Sequence, residues 1–228
     1  MIPLNDENPT YTTPIVVYAL IAINVVVFLN EMTLGSQLDS FFQLYAVIPE
    51  ELTASFSGTP PNQPVPEIVT LITSQFLHGG FLHIAGNMLF LWTFGNNIED
   101  DLGHIKFLIF YLVCGVLAGL THWFFAMQSA VPTVGASGAI AGVMGAYIIK
   151  YPHAKILTLL PLGFFITTIR IPAVFFLGFW FAQQAISSVA SLGVEDAMSG
   201  VAYWAHAGGF IFGAILGPLM GLMSDRRR

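Results

Sequence analysis

Every Lys and Arg of this chain falls in alternate gaps between its long apolar stretches, and this pattern fixes what the chain can fold into. The stretches run from about Pro14 to Leu29, Phe81 to Ile98, Ile105 to Met127, Ser137 to Ile149, Pro172 to Val189 and Val201 to Met223. A helix crossing a bilayer needs about 20 mostly apolar residues, within a range of roughly 17–25. Five stretches meet or approach that length; the fourth is short. Lys106 lies between the second and third, and Lys150, Lys155 and Arg170 between the fourth and fifth. Arg226, Arg227 and Arg228 follow the sixth. With six helices and a cytoplasmic N-terminus, all of them lie on the cytoplasmic side, the asymmetry that membrane insertion imposes. A further apolar segment, Ile156 to Ile169, is interrupted by Pro161 and Gly163. Counted as a span, it would put Lys155 and Arg170 on opposite sides, so it reads as interfacial or re-entrant.

The expected fold is an all-α polytopic membrane protein of six transmembrane helices, one domain over 1–228. Residues 1–13 form its cytoplasmic N-terminus, 30–80 a long outer loop and 224–228 a basic cytoplasmic tail. Only 9% of the residues are charged, against about 25% in soluble domains. The first apolar stretch is preceded by Asp6 and Glu7 but by no Lys or Arg, which argues against a cleaved signal peptide. Seven basic residues without a basic stripe exclude a nucleic-acid partner. Cys114 is the sole cysteine, so neither an intrachain disulfide nor a cysteine metal site is expected. The outer loop mixes acidic residues (Glu31, Asp39, Glu50, Glu51, Glu67) with Phe41-Phe42-Gln43-Leu44-Tyr45. That mixture suits short amphipathic helices at the headgroup level. Thr59-Pro60-Pro61-Asn62-Gln63-Pro64 marks a turn-rich break within it.

Polar residues inside the apolar stretches are the functional candidates. His83 and His206 lie within spans, His78 at the entrance of the second and His122 near the outer end of the third. Asn87 follows His83 by four residues and shares its helix face, so both side chains can point at one oxygen. Ser137 opens the fourth stretch in Gly135-Ala136-Ser137-Gly138. Gly135, Gly138, Gly142 and Gly145 form one small-residue stripe; Ala205, Gly209, Gly213 and Gly217 form another. Such stripes let helix backbones approach closely, and packing one on the other would bring Ser137 to His206. Singly, these signals are ambiguous. A membrane serine usually bonds back to its own helix, and a histidine can simply join two helices. A transporter is the competing class, but Met88-Leu89-Phe90-Leu91-Trp92 follows Asn87 where a polar path should continue. A histidine metal site is weaker still, because no His-Glu-x-x-His pattern occurs.

Three ordered motifs resemble the rhomboid intramembrane serine proteases, over about Glu67 to Gly217. They are His78-Gly79-Gly80-Phe81-Leu82-His83-Ile84-Ala85-Gly86-Asn87, Gly135-Ala136-Ser137-Gly138, and Ala205-His206-Ala207-Gly208-Gly209 followed by Gly213. The resemblance implies a six-helix rhomboid bundle with Ser137 as nucleophile and His206 as general base. It implies that His83, Asn87 and the Ser137 backbone N–H stabilise the oxyanion, with His78, Gly135, Gly138 and Gly209 in support. It also implies single-pass transmembrane protein substrates, cut near their outer ends, in a cell (plasma or inner) membrane. No cofactor or metal is implied. A binding member that kept the fold without the chemistry is the alternative within the family; it should lack the serine or the histidine, and both are present. Three positions depart from the family's usual pattern: Val69-Thr70 for a Trp-Arg pair, Glu99-Asp100-Asp101 for Glu-x-Arg, and Ala141 for a tyrosine stacked on the histidine.

The chemistry expected of this set is a dyad, since no Asp or Glu is placed to orient His206. A free imidazole titrates near 6.5, so its neutral form can take the serine proton near neutral pH. Hydrolysis needs water, and a short fourth helix starting below the surface would leave a cavity above Ser137. Phe175, Phe176, Phe179, Trp180 and Phe181 in the fifth stretch either gate lateral entry or, the favoured reading, face lipid.

Overall fold

The computed structural model describes residues 1–61, 63–163, 165–191 and 202–224. Val201, where the sixth stretch was set to begin, and Arg226–Arg228 lie outside the described residues. Six helices coincide with the six apolar stretches: α1 (Ile15–Glu31), α5 (Phe81–Leu102), α6 (His104–Phe125), α7 (Ser137–Lys150), α8 (Ala173–Ala190) and α9 (Tyr203–Leu219). Between α1 and α5 lie three short helices, α2 (Leu38–Tyr45), α3 (Pro49–Phe56) and α4 (Glu67–Thr73). By length and composition α6 and α8 each suffice to cross a membrane. Two bent pairs also pass as spans: α1 with Gly35–Tyr45, and Glu67–Phe76 with α5.

At 14 residues, α7 is about 21 Å long at 1.5 Å per residue, well short of a bilayer core about 30 Å thick. It is the centre of the bundle: every residue from Gly138 to Tyr147 is buried. Its glycines make that possible. A Cβ on Gly209 would fall on the carbonyl oxygen of Gly138, and one on Gly213 on that of Gly142. The two stripes thus pack α7 and α9 backbone to backbone.

The segment read as interfacial or re-entrant forms a β-hairpin. Its strands, β2 (Lys155–Leu162) and β3 (Phe165–Pro172), pair antiparallel, and the N-terminal strand β1 (Ile2–Asp6) adds to β2 in the order β1-β2-β3. The helical bundle therefore carries a small sheet at the end away from Ser137. The reason was present in the residues: Lys155 to Pro172 is rich in β-branched Ile and Thr. Length and Pro161 excluded a span without excluding a hairpin. Arg170 Nε lies 2.6 Å from Glu7 Oε1, which ties the N-terminal segment to β3. Asp6 is buried beside Tyr147, whose hydroxyl donates to it. Burial raises the Asp6 carboxyl above its ordinary range, and that hydrogen bond opposes the rise.

The acidic trio Glu99-Asp100-Asp101 has a structural task at this same end. Glu99 is 0% exposed. Its carboxylate accepts the backbone N–H of Val16 (2.9 Å) and Val17 (2.8 Å) at the start of α1, and lies 2.6 Å from His104 Nδ1. Asp100 accepts the N–H groups of Tyr11 and Thr12, and Asp101 the Tyr151 hydroxyl. One carboxylate thus satisfies N–H groups that α1 cannot pair internally. Glu99→Ala is expected to cost about 1.5–3 kcal/mol for each hydrogen bond to the charged group lost. It should lower the thermal midpoint in detergent, with Glu99→Gln intermediate.

Candidate functional site

Ser137 is the first residue of α7. The chain enters it through Gly135, whose φ of +127° lies in the left-handed region, where only glycine sits without strain. The Gly135 N–H donates to Ser74 O at 2.9 Å, which anchors the turn to the end of α4. A Cβ on Gly135 would come 2.7 Å from His83 Nε2, so glycine is also required for space. Gly138, one residue past Ser137, lies against Ala118 of α6 and Ala205 of α9.

His206 stands on the first turn of α9, and its Nε2 lies 2.7 Å from Ser137 Oγ. The backbone contact between α7 and α9 sets this distance. On the far side of the ring, His206 Nδ1 lies 2.8 Å from Gln184 Oε1. Gln184 comes from α8, as does Trp180, whose ring centroid is 5.8 Å from that of His206. Reading ionisable residues alone misses Gln184. The available signal was Gln183-Gln184, an amide pair inside an otherwise apolar stretch. The histidine therefore has no stacked tyrosine from α7, where Ala141 stands, and instead has a tryptophan and an amide from α8.

His83 and Asn87 lie on α5 facing the same space. Gly79 N–H donates to His83 Nδ1 at 3.4 Å, which leaves Nε2–H as the donor on the side of Gly135 and Ser137. Asn87 Nδ2 lies 3.0 Å from His78 Nε2. His78 is itself held, its backbone N–H donating to the Glu31 carboxylate at 3.2 Å. Glu31, which the sequence places at the start of the outer loop, is 3% exposed, at the end of α1. The chain Glu31–His78–Asn87 fixes one amide N–H and leaves the second for the cavity. At the two departing loop positions, Thr70 is buried and donates to Glu67 O, while Val69 is exposed.

A cavity of about 740 Å³ opens over these groups, lined by His83, Asn87, Ser137 and His206 together with Phe81 and Leu82. A smaller one, about 350 Å³, adjoins it at His83 and is walled by Asp39, Phe42 and His122. In α8 the aromatic residues divide. Phe175 and Phe179 are exposed, Phe176 is buried against Phe90 and Phe94, and Phe181 stacks on Phe210 with centroids 4.7 Å apart.

Bundle and cavity define a mostly helical, polytopic membrane protein with polar groups gathered at one end. A family model described as "Rhomboid domain" matches residues 65–222, and the chain belongs to the rhomboid family. It is 30% identical over 216 residues to "Rhomboid protein 1, mitochondrial" of Saccharomyces cerevisiae, covering 93% of this chain and 55% of that protein. It is 32% identical over 157 residues to "Rhomboid protease GluP" of Bacillus subtilis, covering 68% of this chain and 28% of that one. "Presenilin-associated rhomboid-like protein A, mitochondrial" of Danio rerio matches at 30% over 168 residues, 71% of this chain and 39% of the relative. The chain thus spans about half the length of these relatives or less.

Proposed function

We propose that this chain is an intramembrane serine endopeptidase that hydrolyses peptide bonds within or next to transmembrane segments of other membrane proteins. The observation that carries this reading is the 2.7 Å approach of Ser137 Oγ to His206 Nε2 beneath a cavity lined by further donors. A serine hydroxyl becomes nucleophilic when a base within about 2.6–3.2 Å can take its proton. In the first step Oγ attacks the scissile carbonyl carbon and its proton passes to Nε2. The oxyanion that forms is met by His83 Nε2–H, the free Asn87 amide N–H and the Ser137 backbone N–H. Collapse breaks the C–N bond, and the departing amine takes the proton from His206. Water from the cavity then attacks the acyl ester, with His206 as base again, and releases the acid and Ser137.

In this reading the chain is one membrane domain in a cell (plasma or inner) membrane, although two of the relatives carry "mitochondrial" in their names. Lys106, Lys150, Lys155 and Arg170 face the cytoplasm and the cavity faces away from it. The substrates are single-pass transmembrane proteins reached through the bilayer. A transported solute fits less well, because below Asn87 the helix is closed by Leu91 and Phe94, both fully buried.

The test uses purified chain in liposomes with a membrane-anchored reporter and a fluorophosphonate probe. Cleavage and labelling are expected from the wild type. Asn87→Ala should slow cleavage about 10²–10³-fold, the usual effect of one oxyanion donor. A well-folded wild type that neither cuts any such reporter nor takes up the probe removes the protease reading.

A further inference from the structure

We propose that Gln184 is the positioning residue of this site and that it selects the working tautomer of His206. The proposal rests on the protease reading above. Each ring nitrogen of a neutral imidazole is either a donor or an acceptor, and the bond made at one nitrogen decides the other. Gln184 Oε1 is 2.8 Å from Nδ1. A carbonyl oxygen only accepts, so Nδ1 carries the proton. Nε2 is then left with its lone pair toward Ser137 Oγ at 2.7 Å, as proton transfer from the serine requires. If the amide did not hold Nδ1, the ring could place its proton on Nε2 and lose its function as a base.

The local structure explains why a glutamine can do this. Trp180 and Gln184 are four residues apart on α8 and so share a face. Trp180 and Phe181 pack on Phe210 of α9, with centroids 6.1 Å and 4.7 Å away. Those contacts fix the register of α8 against α9 and put the amide one turn along, beside the ring. A carboxylate would orient the ring equally well, but a charge inside a transmembrane bundle is costly. A neutral amide supplies the acceptor without that cost. The site is therefore a serine and a histidine completed by an uncharged third member from a different helix, rather than a bare dyad.

The competing role for Gln184 is plain helix–helix bonding between α8 and α9, and three variants of the full chain separate the two. Gln184→Met keeps length and flexibility but has no comparable acceptor. Gln184→Glu keeps the acceptor. Gln183→Met alters the adjacent, exposed glutamine. Each is measured for kcat and KM on a membrane-anchored reporter, for fluorophosphonate labelling rate, and for thermal midpoint. The His206 tautomer is read by ¹⁵N NMR. Gln184→Met is expected to lose about tenfold to a hundredfold in kcat and labelling rate, by analogy with the loss when the outer hydrogen bond of a metal-bound histidine is removed. KM should stay unchanged and the Nδ1–H signature should weaken. Gln184→Glu should restore most of the rate, and Gln183→Met should match the wild type. Full activity in Gln184→Met overturns the proposal. So does an equal loss in Gln184→Met and Gln184→Glu that follows a lowered midpoint, since that is structural bonding. A wild type that neither cleaves nor labels removes the protease reading itself, and this role with it.

Discussion

Ser137→Ala is expected to abolish cleavage of a membrane-anchored reporter, and His206→Ala to do nearly the same. The loss should be on the order of a millionfold, as when one member of a cooperating serine–histidine unit is removed. Combining the two changes should cost little more than either one. With Oγ gone there is no proton for His206 to take, and with the imidazole gone the hydroxyl stays protonated and weak. Residual turnover would come from the His83 and Asn87 donors acting on a water molecule. The measurement is single-turnover cleavage in liposomes by the two single variants and the double variant, with thermal midpoints recorded to show that all three fold. Ser137→Ala removes only a small side chain facing the cavity, so its midpoint should stay close to wild type; His206→Ala also loses the Gln184 hydrogen bond and the Trp180 contact, so its midpoint should fall modestly. Losses that multiply in the double variant would mean the two residues act independently, and the shared proton would have to be given up.

Much of this arrangement was legible in the chain because insertion into a bilayer imposes simple rules. Apolar length located six helices to within a few residues, and the fourth was correctly read as beginning at Ser137. Glycine periodicity anticipated which two helices touch, because only residues without a side chain permit backbone contact. Other features were harder for physical reasons. The hairpin from Lys155 to Pro172 is as apolar as a span, and its pairing with Ile2–Asp6 is a contact between residues more than 140 positions apart. Local composition carries no record of such a partner. Glu31 was assigned to the outer loop because it lies just past the apolar run; its burial depends on the His78 backbone folding over it. Gln184 escaped because an amide does not titrate and so does not stand out as Glu or His would in lipid. The acidic trio in the last turn of α5 was visible as a departure from a family pattern. Its role as a clamp on the start of α1 required the two helix ends to be seen together.

Gly213→Val is expected to disable the protein as thoroughly as a change at the site, although Gly213 lies two helical turns from His206. A Cβ there would fall on the Gly142 carbonyl oxygen. Backbone cannot swing aside as a flexible side chain can, so α9 must move off α7. Overpacking of this kind costs about 1–3 kcal/mol even where side chains can adjust. The catalytic penalty adds to it: His206 and Ser137 stand on these same two helices, and a shift of about 1 Å in such a pair can cost roughly a hundredfold. Gly86→Ala is the matching control. Gly86 also belongs to one of the three sequence motifs, yet a Cβ there meets nothing within 4 Å. Replacing a helical glycine by alanine where there is room should stabilise by up to about 1 kcal/mol. Thermal midpoint and fluorophosphonate labelling rate, measured on the same detergent preparations, should therefore both fall in Gly213→Val and both hold in Gly86→Ala. A Gly213→Val protein that labels at the wild-type rate would show that the contact between α7 and α9 does not set the Ser137–His206 distance.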